Sequence, residues 1–276
     1  MIDTHTHLNY SGRLPDEPRG ITPEQLVDTM NCRGIDMAVM LPMETPELTS
    51  SYCLTDRVIE AAERYPERLI PFIHFDPRKP RAVELIEHFA EHPQVRGFGE
   101  FVDPLPFDDP LRTKMYAKCG ELGLPVVFYS SGNASLDEQG LPRLEKCLKE
   151  YPDTIFIGHG PGWWSAISAD DDGSCGYPDG PVEPGGAADR FLQEYENMYA
   201  DISASSGYNA MTRDPEFTQG FIDRNWHKLL FATDYLSTGH AMGHVKWMRE
   251  TPMNEEHRAA ISEGNARRIL GLEVGE

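Results

Sequence analysis

Residues 1–10 read MIDTHTHLNY, a short apolar stretch that leads directly into histidines at positions 5 and 7. Short stretches rich in Val, Ile, Phe or Met are typical of strands that are buried on both faces of a parallel sheet. Strands of this type are predicted at residues 1–7, 35–42, 69–75, 96–102, 124–129, 154–158, 198–202 and 229–233.

Helix-like segments separate these strands. The first opens with Thr22-Pro23-Glu24, a capping residue followed by proline at the first helical position. Helices are predicted at residues 22–33, 54–65, 80–92, 110–122, 141–151, 189–195, 214–225 and 254–270.

This alternation predicts an α/β fold with parallel strands and right-handed crossovers. The sequence contains neither a GxGxxG nor a GxxxxGK[ST] loop, which argues against a nucleotide-binding doubly wound sheet. Its 276 residues suit a (β/α)8 barrel, which needs about 250. We therefore predict one closed eight-stranded barrel domain over residues 1–276.

Charge and composition narrow the class of partner. The net charge of −20 and the pI near 4.8 disfavour binding to nucleic acid or to anionic membrane surfaces. No apolar run approaches the roughly 20 residues that span a bilayer, and the N-terminal residues do not resemble a signal peptide. The five cysteines contain no CxxC pair, which predicts reduced thiols. We expect a cytoplasmic protein that acts on a small molecule, with a homodimer as the expected oligomer.

Two long polar loops are predicted, at residues 9–21 and 160–188. Loops of this length in a compact domain are usually lids or binding loops. Both follow the C-terminal end of a predicted strand, which is the face where barrels carry their active sites. The longer loop is therefore expected to influence substrate specificity.

Two histidines end the first predicted strand. His5 and His7 share one face of that strand and lie roughly 7 Å apart along it. Imidazole nitrogen is a favoured ligand of zinc, nickel and iron, so the pair could hold a divalent metal. A chance HxH is the alternative, because the chain has 10 histidines.

Three other strands also end in a strongly polar residue. Glu100 lies in the apolar stretch RGFGEFV, His159 follows TIFIG, and Asp234 follows LLFAT. Each could instead cap the next helix or pair with an arginine. In a barrel, however, these side chains would converge with the two histidines at one mouth. A metal held there would lower the pKa of a bound water, and a neighbouring carboxylate could accept its proton, which predicts hydrolysis.

The chain resembles the amidohydrolase superfamily, and in particular the amidohydrolase-related branch that contains aminocarboxymuconate-semialdehyde decarboxylase. The resemblance extends along essentially the whole chain and is carried by IDTHTH, GFGEF, FIGHGPG, LLFATDY and GNARRILGL. Members of this family are distorted (β/α)8 TIM barrels with a metal at the C-terminal mouth of the strands. The resemblance implies the same fold and site here.

Site roles follow from the resemblance by position. His5 and His7 match the paired metal ligands of strand one, and Asp234 matches the aspartate that binds metal and shuttles a proton. His159 matches a strand-six histidine that is either a ligand or a group that polarises the substrate. Glu100 resembles the glutamate that is a ligand in TatD-like relatives. The implied cofactor is one divalent ion, with zinc preferred and manganese, nickel or iron as alternatives.

The sequence departs from the family pattern at strand five. Tyr129 stands where the family usually has a histidine ligand, and neutral tyrosine is a weak ligand. The site could therefore be mononuclear, with Glu100 as a ligand and Tyr129 facing the substrate, or it could bind metal weakly or not at all. Trp163 and Trp164 could stack on a planar substrate, with core packing as the alternative, and His74 could line the mouth.

The sequence thus predicts a metal-dependent hydrolase that cleaves an amide, ester or lactone bond of a small molecule. The first alternative is a non-oxidative decarboxylase of an unsaturated or aromatic acid. That lyase would need a cation for the substrate carboxylate, for which Arg13 and Arg213 are candidates. The second alternative is a barrel that binds a small molecule without catalysis.

Overall fold

The computed structural model describes residues 1–9, 20–48 and 52–272, so most of the loop predicted at residues 9–21 lies outside it. All eight predicted strands are present within these ranges, most of them shorter than predicted. They are β1 (Ile2–Thr6), β2 (Met37–Met40), β3 (Leu69–Pro71), β4 (Phe98–Phe101), β5 (Val126–Tyr129), β6 (Phe156–His159), β7 (Met198–Ile202) and β8 (Leu229–Phe231).

The strands pair in chain order and in parallel, as predicted. Strands β1 to β3 form one run and β4 to β8 form another. Backbone hydrogen bonds join the runs at both ends: Gly99 N donates to Ile73 O at 2.9 Å, and His7 N donates to Tyr235 O at 3.0 Å. These bonds join β3 to β4 and β8 to β1, which closes the ring of eight strands. The predicted (β/α)8 barrel is therefore confirmed.

Helices follow the strands on the outside of this circuit. They are α1 (Pro23–Arg33), α2 (Thr55–Arg64), α3 (Ala82–Ala90), α4 (Pro110–Glu121), α5 (Pro142–Glu150), α6 (Pro161–Ser165), α7 (Ala187–Glu194), α8 (Ala204–Thr212), α9 (Pro215–Asn225), α10 (Gly243–Glu250), α11 (Glu255–Ala259) and α12 (Asn265–Ile269). Thr22 caps α1 with the predicted geometry, because its hydroxyl accepts from Gln25 N while the Gln25 side chain accepts from Thr22 N.

The structure differs from the sequence prediction in four places. Helices α8 and α10 were not predicted. The segment predicted as one helix at residues 254–270 consists of α11, a π-helical turn (Ala260–Gly264) and α12. The stretch predicted as a loop at residues 160–188 begins with α6, because Pro161 starts a helix directly after β6.

The barrel interior has an apolar lower layer and a polar upper layer. Val127, Ile157 and Tyr199 belong to one buried cluster that α12 also contacts. Side chains alternate across a strand, so the residue two positions further along points to the same face. On β5, β6 and β7 those positions are occupied by the polar residues Tyr129, His159 and Asp201. The strands therefore place a polar layer at their C-terminal mouth.

Among the described residues, no helix is long and apolar enough to cross a membrane.

Candidate metal centre

Five polar side chains from four strands converge at the C-terminal mouth. His5 lies in β1 and His7 follows it, Glu100 lies in β4, His159 ends β6, and Asp234 follows β8. Asp234 adopts a left-handed backbone conformation (φ 56°), and its N–H donates to His5 O at 2.9 Å. Aspartate tolerates this conformation better than most residues, and it brings the carboxylate next to β1.

The Nε2 atoms of the two β1 histidines are 3.0 Å apart. Glu100 Oε2 lies 3.5 Å from each of them, and Asp234 Oδ1 lies 3.3 Å from His7 Nε2 and 3.8 Å from His5 Nε2. On the other side of Glu100, Oε1 lies 3.5 Å from His159 Nε2. All five side chains thus direct a potential ligand atom toward one small volume.

The opposite ring nitrogens have hydrogen-bond acceptors of their own. His5 Nδ1 lies 2.7 Å from Asp201 Oδ2, and His159 Nδ1 lies 2.9 Å from Asp201 Oδ1. His7 Nδ1 lies 3.0 Å from Leu41 O. Carbonyl and carboxylate oxygens only accept, so each Nδ1 must donate its proton. In a neutral ring, Nε2 then carries a lone pair that points toward the convergence point.

This donor set fits a metal ion. Imidazole lone pairs and carboxylate oxygens facing one another repel unless a cation lies between them. Two nitrogen ligands that each lie about 2.1 Å from one ion are separated by about 3.0 Å at a right angle and about 3.4 Å at the tetrahedral angle. The observed separation between His5 and His7 falls at the lower of these values. Two groups of three side chains satisfy the spacing for one ion: His5, His7 and Asp234, and His5, Glu100 and His159.

The electrostatics of the site also favour positive charge. Burial by itself lowers the pKa of His5, but the carboxylates of Asp201 and Glu100 raise it well above its usual value. Burial likewise opposes protonation of His159, and Asp201 with Glu100 raises its pKa. Burial raises the pKa of the Asp234 carboxyl, but its hydrogen bond to His7 and the charge of His5 bring it below the usual value. The carboxylates are therefore ionised at neutral pH.

The cluster forms the floor of a cavity of about 350 Å³, a size typical of small-molecule sites. One part of its wall is apolar and the other part is polar. The apolar lining is contributed by Met43, Leu48, Val102, Ala134 and Leu236. The polar lining is contributed by His7, Glu47, Glu100, Tyr129, Asn133, His159 and Asp234.

Two polar residues lie on the wall of the cavity above the cluster. Burial and the nearby charge of Glu100 raise the pKa of the Tyr129 hydroxyl, so it stays neutral, and its ring centroid lies 5.7 Å from that of His159. Ser131 Oγ donates to Asn133 Oδ1 at 2.7 Å, which leaves the Asn133 amide hydrogens available to a ligand.

The structure does not bring the two tryptophans to the cavity. Trp163 and Trp164 are 0% and 2% exposed and lie in the hydrophobic core, because α6 turns both indoles inward. A substrate entering the mouth cannot stack on them in this conformation, which corrects the expectation of stacking. Trp164 Nε1 instead donates to Asp201 O at 3.1 Å.

His74 is buried rather than cavity-lining. Its ring is 0% exposed and packs against Phe98 and Phe101, and neither ring nitrogen has a hydrogen-bond partner in the described part of the chain. The expected role of His74 in lining the mouth is therefore not supported. Of the two candidate cations for a substrate carboxylate, Arg213 does not line the cavity and its Nη1 donates to Gly180 O. Arg13 lies outside the described residues.

Sequence analysis missed Asp201. This residue lies within β7 (MYADI), is 1% exposed and contacts two of the candidate ligands. The signal that identifies Glu100 also applies here, because a carboxylate inside an apolar strand needs a partner. Asp201 also shares the inward face of β7 with Tyr199, two positions earlier.

Comparison with solved structures supports the fold. An uncharacterised TIM-barrel protein (Bb4693) from Bordetella bronchiseptica is 16% identical, with a TM-score of 0.72 and 99% of each chain covered. A probable 2-pyrone-4,6-dicarboxylic acid hydrolase from Acinetobacter baumannii, solved with citric acid bound, is 14% identical, with a TM-score of 0.66 and 98% of each chain covered.

A third similar structure contains a metal. It is a 5-carboxyvanillate decarboxylase from Novosphingobium aromaticivorans, solved with manganese and 4-hydroxy-3-methoxy-5-nitrobenzoic acid. It is 15% identical, has a TM-score of 0.62, and the alignment covers 98% of this chain and 96% of that one. At these identities the likeness establishes the fold alone.

Sequence comparison identifies the family. No curated protein matches the chain in a sequence search. The family model described as amidohydrolase, in contrast, matches residues 2–272, which is nearly the whole chain. The resemblance inferred from the motifs is thereby confirmed, and the chain belongs to this amidohydrolase family.

Proposed function

We propose that this protein is a metal-dependent hydrolase that cleaves an amide, ester or lactone bond of a small molecule. The observation that carries the proposal is the convergence of imidazole nitrogens and carboxylate oxygens at the floor of a cavity. Such a donor set suits a borderline or hard divalent ion, and zinc remains the preferred ion, with manganese, nickel and iron as alternatives.

The ligands proposed for the ion are His5, His7 and Asp234, with Glu100 on the side facing β4. A divalent ion bound there would supply a water of lowered pKa and a Lewis acid for a carbonyl oxygen. Tyr129 is proposed to contact the substrate rather than to serve as a ligand of the ion, because its hydroxyl stays protonated.

Asp234 is the proposed proton acceptor. It lines the cavity, it is ionised, and its side chain is 15% exposed, so it can contact both a water molecule and the substrate. After accepting the proton it can pass it to the leaving group, as general acid–base catalysis requires.

His159 has two proposed roles. Its raised pKa favours a protonated ring, which would donate from Nε2 to the carbonyl oxygen of the substrate. Nε2 also lies within ligand distance of the ion that His5 and Glu100 could share. His159→Ala separates the roles: loss of metal affinity indicates a ligand, whereas unchanged affinity with a lower kcat indicates a group that polarises the substrate.

The cavity wall indicates the form of the substrate. Its apolar part would pack against a hydrophobic or planar body, while the reacting carbonyl reaches the floor. The Asn133 amide, oriented by Ser131, could donate to an acceptor at the outer end of the molecule. A small apolar lactone or aryl ester fits this arrangement.

The proposal is tested with enzyme loaded with zinc or manganese and a panel of three probes: dihydrocoumarin, phenyl acetate and acetanilide. Acid release is followed with a pH indicator, and glutamine at Glu47 serves as a control because this carboxylate lines the same cavity but is paired with Arg78. Metal-dependent turnover of any probe that the Glu47→Gln variant keeps and the Asp234→Asn variant loses supports hydrolysis. Activity unaffected by loss of the Asp234 carboxylate would overturn the assigned mechanism.

Decarboxylation is the second candidate, because one of the similar structures is a decarboxylase with bound manganese. Release of CO2 from 5-carboxyvanillate, without hydrolysis of the three probes, would favour it. Tight binding of such molecules without any turnover would favour a non-catalytic barrel. The cytoplasmic location, the homodimer and the single domain over residues 1–276 stay predictions from the sequence.

A further inference from the structure

One buried carboxylate contacts two of the candidate ligands from behind. Asp201 Oδ2 lies 2.7 Å from His5 Nδ1, and Asp201 Oδ1 lies 2.9 Å from His159 Nδ1. His5 belongs to both groups of potential ligands, and His159 belongs to one of them. Asp201, which lies in β7, therefore links His5 of β1 to His159 of β6. Its carboxylate contacts both rings on the side that faces away from the cavity.

The contacts determine where the ring protons lie. Carboxylate oxygens only accept hydrogen bonds, and both Asp201 oxygens lie within hydrogen-bond distance of a ring nitrogen. Each Nδ1 must therefore donate to it. The Nε2 lone pairs of both rings are then directed toward the cavity, where a metal ion can take them.

Asp201 is itself held in place. Ser203 Oγ donates to Asp201 Oδ1 at 2.5 Å, and Trp164 Nε1 donates to the Asp201 backbone oxygen at 3.1 Å. Because Trp164 lies in the core, the strand around Asp201 has little freedom to rotate. The Asp201 carboxylate is therefore a fixed hydrogen-bond acceptor for the Nδ1 atoms of both imidazoles.

We propose that Asp201 is a positioning residue that sets the tautomer and orientation of His5 and His159 for a divalent metal ion. This inference rests on the proposed metal centre. Asp201 would act only through the two imidazoles, since its carboxylate oxygens are engaged on the side of the rings opposite the ion.

The test compares Asp201→Asn with the parent. Asparagine has nearly the same shape, but its one oxygen can accept from only one of the two rings. Its NH2 group would face Nδ1 of the other ring and favour the Nε2–H tautomer of that ring, in which Nε2 has no lone pair for the ion, although Ser203 Oγ, 2.8 Å from His159 Nδ1, offers His159 a second partner. Loss of such an orienting partner typically lowers metal affinity by about 10- to 100-fold.

Asp3→Asn is the matched control. Asp3 is also a buried carboxylate in the barrel, but its oxygens accept from Thr233 and from the His5 backbone N–H rather than from a ring. An amide at this position can keep these bonds if Thr233 Oγ1 becomes the acceptor of one of them. We expect its zinc affinity to stay within about threefold of the parent, which is a difference of less than 1 kcal/mol.

Zinc affinity is measured by competition with a chromophoric chelator, and imidazole tautomers are read from long-range ¹H–¹⁵N spectra of the metal-free proteins. We expect Nδ1–H rings at His5 and His159 in the parent and a 10- to 100-fold weaker affinity only in Asp201→Asn. Parent affinity in Asp201→Asn, or a ring at either histidine of the parent that lacks the Nδ1 proton, would overturn the inference. The parent spectrum decides the question even if the variant does not fold.

Failure of this inference can be distinguished from failure of the proposed function. A parent that binds zinc, together with an unaffected Asp201→Asn, overturns the positioning role alone. A parent without zinc affinity overturns both. A parent that binds zinc through Nδ1–H imidazoles but hydrolyses no probe supports the positioning role and counts against hydrolysis.

Discussion

Replacing Asp234 by Asn should remove catalysis while leaving the barrel folded. The substitution keeps the size of the side chain, and asparagine accommodates the left-handed conformation seen at this position (φ 56°). The hydrogen bond from its backbone N–H to His5 O does not depend on the side chain. We therefore expect a change in the free energy of unfolding of less than about 1 kcal/mol.

The kinetic effect follows from the charge that is lost. An amide cannot accept the proton that the ionised Asp234 carboxylate is proposed to take, and a positioned general base typically contributes about 10²- to 10⁴-fold in rate. This corresponds to about 2.7 to 5.5 kcal/mol of transition-state stabilisation. Because Oδ1 lies 3.3 Å from His7 Nε2, in the group of potential ligands, metal affinity should fall as well.

The assay measures kcat and KM for a hydrolysed probe at saturating zinc, so that weaker metal binding does not appear as a loss of chemistry. Glu47→Gln is the control, since it also turns a carboxylate of the same cavity into an amide. We expect a lower kcat only in Asp234→Asn. A kcat within about tenfold of the parent would refute the assignment of Asp234 as the proton acceptor, because it falls below the usual contribution of a general base.

Three further predictions concern the metal, the tyrosine and the fold. Zinc at 100 times its Kd should stabilise the protein by about 2.7 kcal/mol and raise Tm by about 5–10 °C, and an unchanged melting curve in calorimetry would count against the metal centre. Tyr129→His should tighten zinc binding by about tenfold in a chelator competition, which is about 1.4 kcal/mol, whereas unchanged affinity would mean that position 129 does not face the ion. Arg112→Ala should lower the free energy of unfolding in urea by about 3–5 kcal/mol, because it leaves the fully buried Asp103 without its cation; a loss below about 1 kcal/mol would show that this pair contributes little.

The fold was predictable because the chain repeats one pattern. Each strand is short and apolar and ends in a polar residue or a turn, so the eight strands could be located, although their ends were placed up to four residues too far out. Helix α8 (ASSGYNAMT) was missed because serine, glycine, asparagine and threonine are weak helix formers. Helix α8 is stabilised by packing against the rest of the barrel, and intrinsic helix propensities do not include that contribution.

The site was predictable only in part. His5, His7, Glu100, His159 and Asp234 could be selected because each is polar at the end of an apolar strand, and the structure brings all five together. Their roles as ligands and catalysts remain proposals.

Two details of the site required the fold itself. The short apolar sequence around Trp163 and Trp164 is equally compatible with a cavity wall and with the core, and only the direction of α6 decides between them. Asp201 lies one residue before the end of its strand, as Glu100 does, so its position could have marked it as a candidate but not its contact with two imidazoles. Its contacts with His5 and His159 depend on how β1, β6 and β7 are arranged in the barrel, and the sequence of one strand does not predict that arrangement.

The most direct test of the metal centre is the metal content of the purified, untagged protein beside that of a His5→Ala/His7→Ala double variant. The two substitutions remove the proposed nitrogen ligands, whose Nε2 atoms lie 3.0 Å apart at the centre of the cluster. We predict about one equivalent of a divalent transition metal in the parent and none in the variant. A parent that stays metal-free after incubation with zinc and manganese, or a variant that keeps the parent's metal content, would contradict the account.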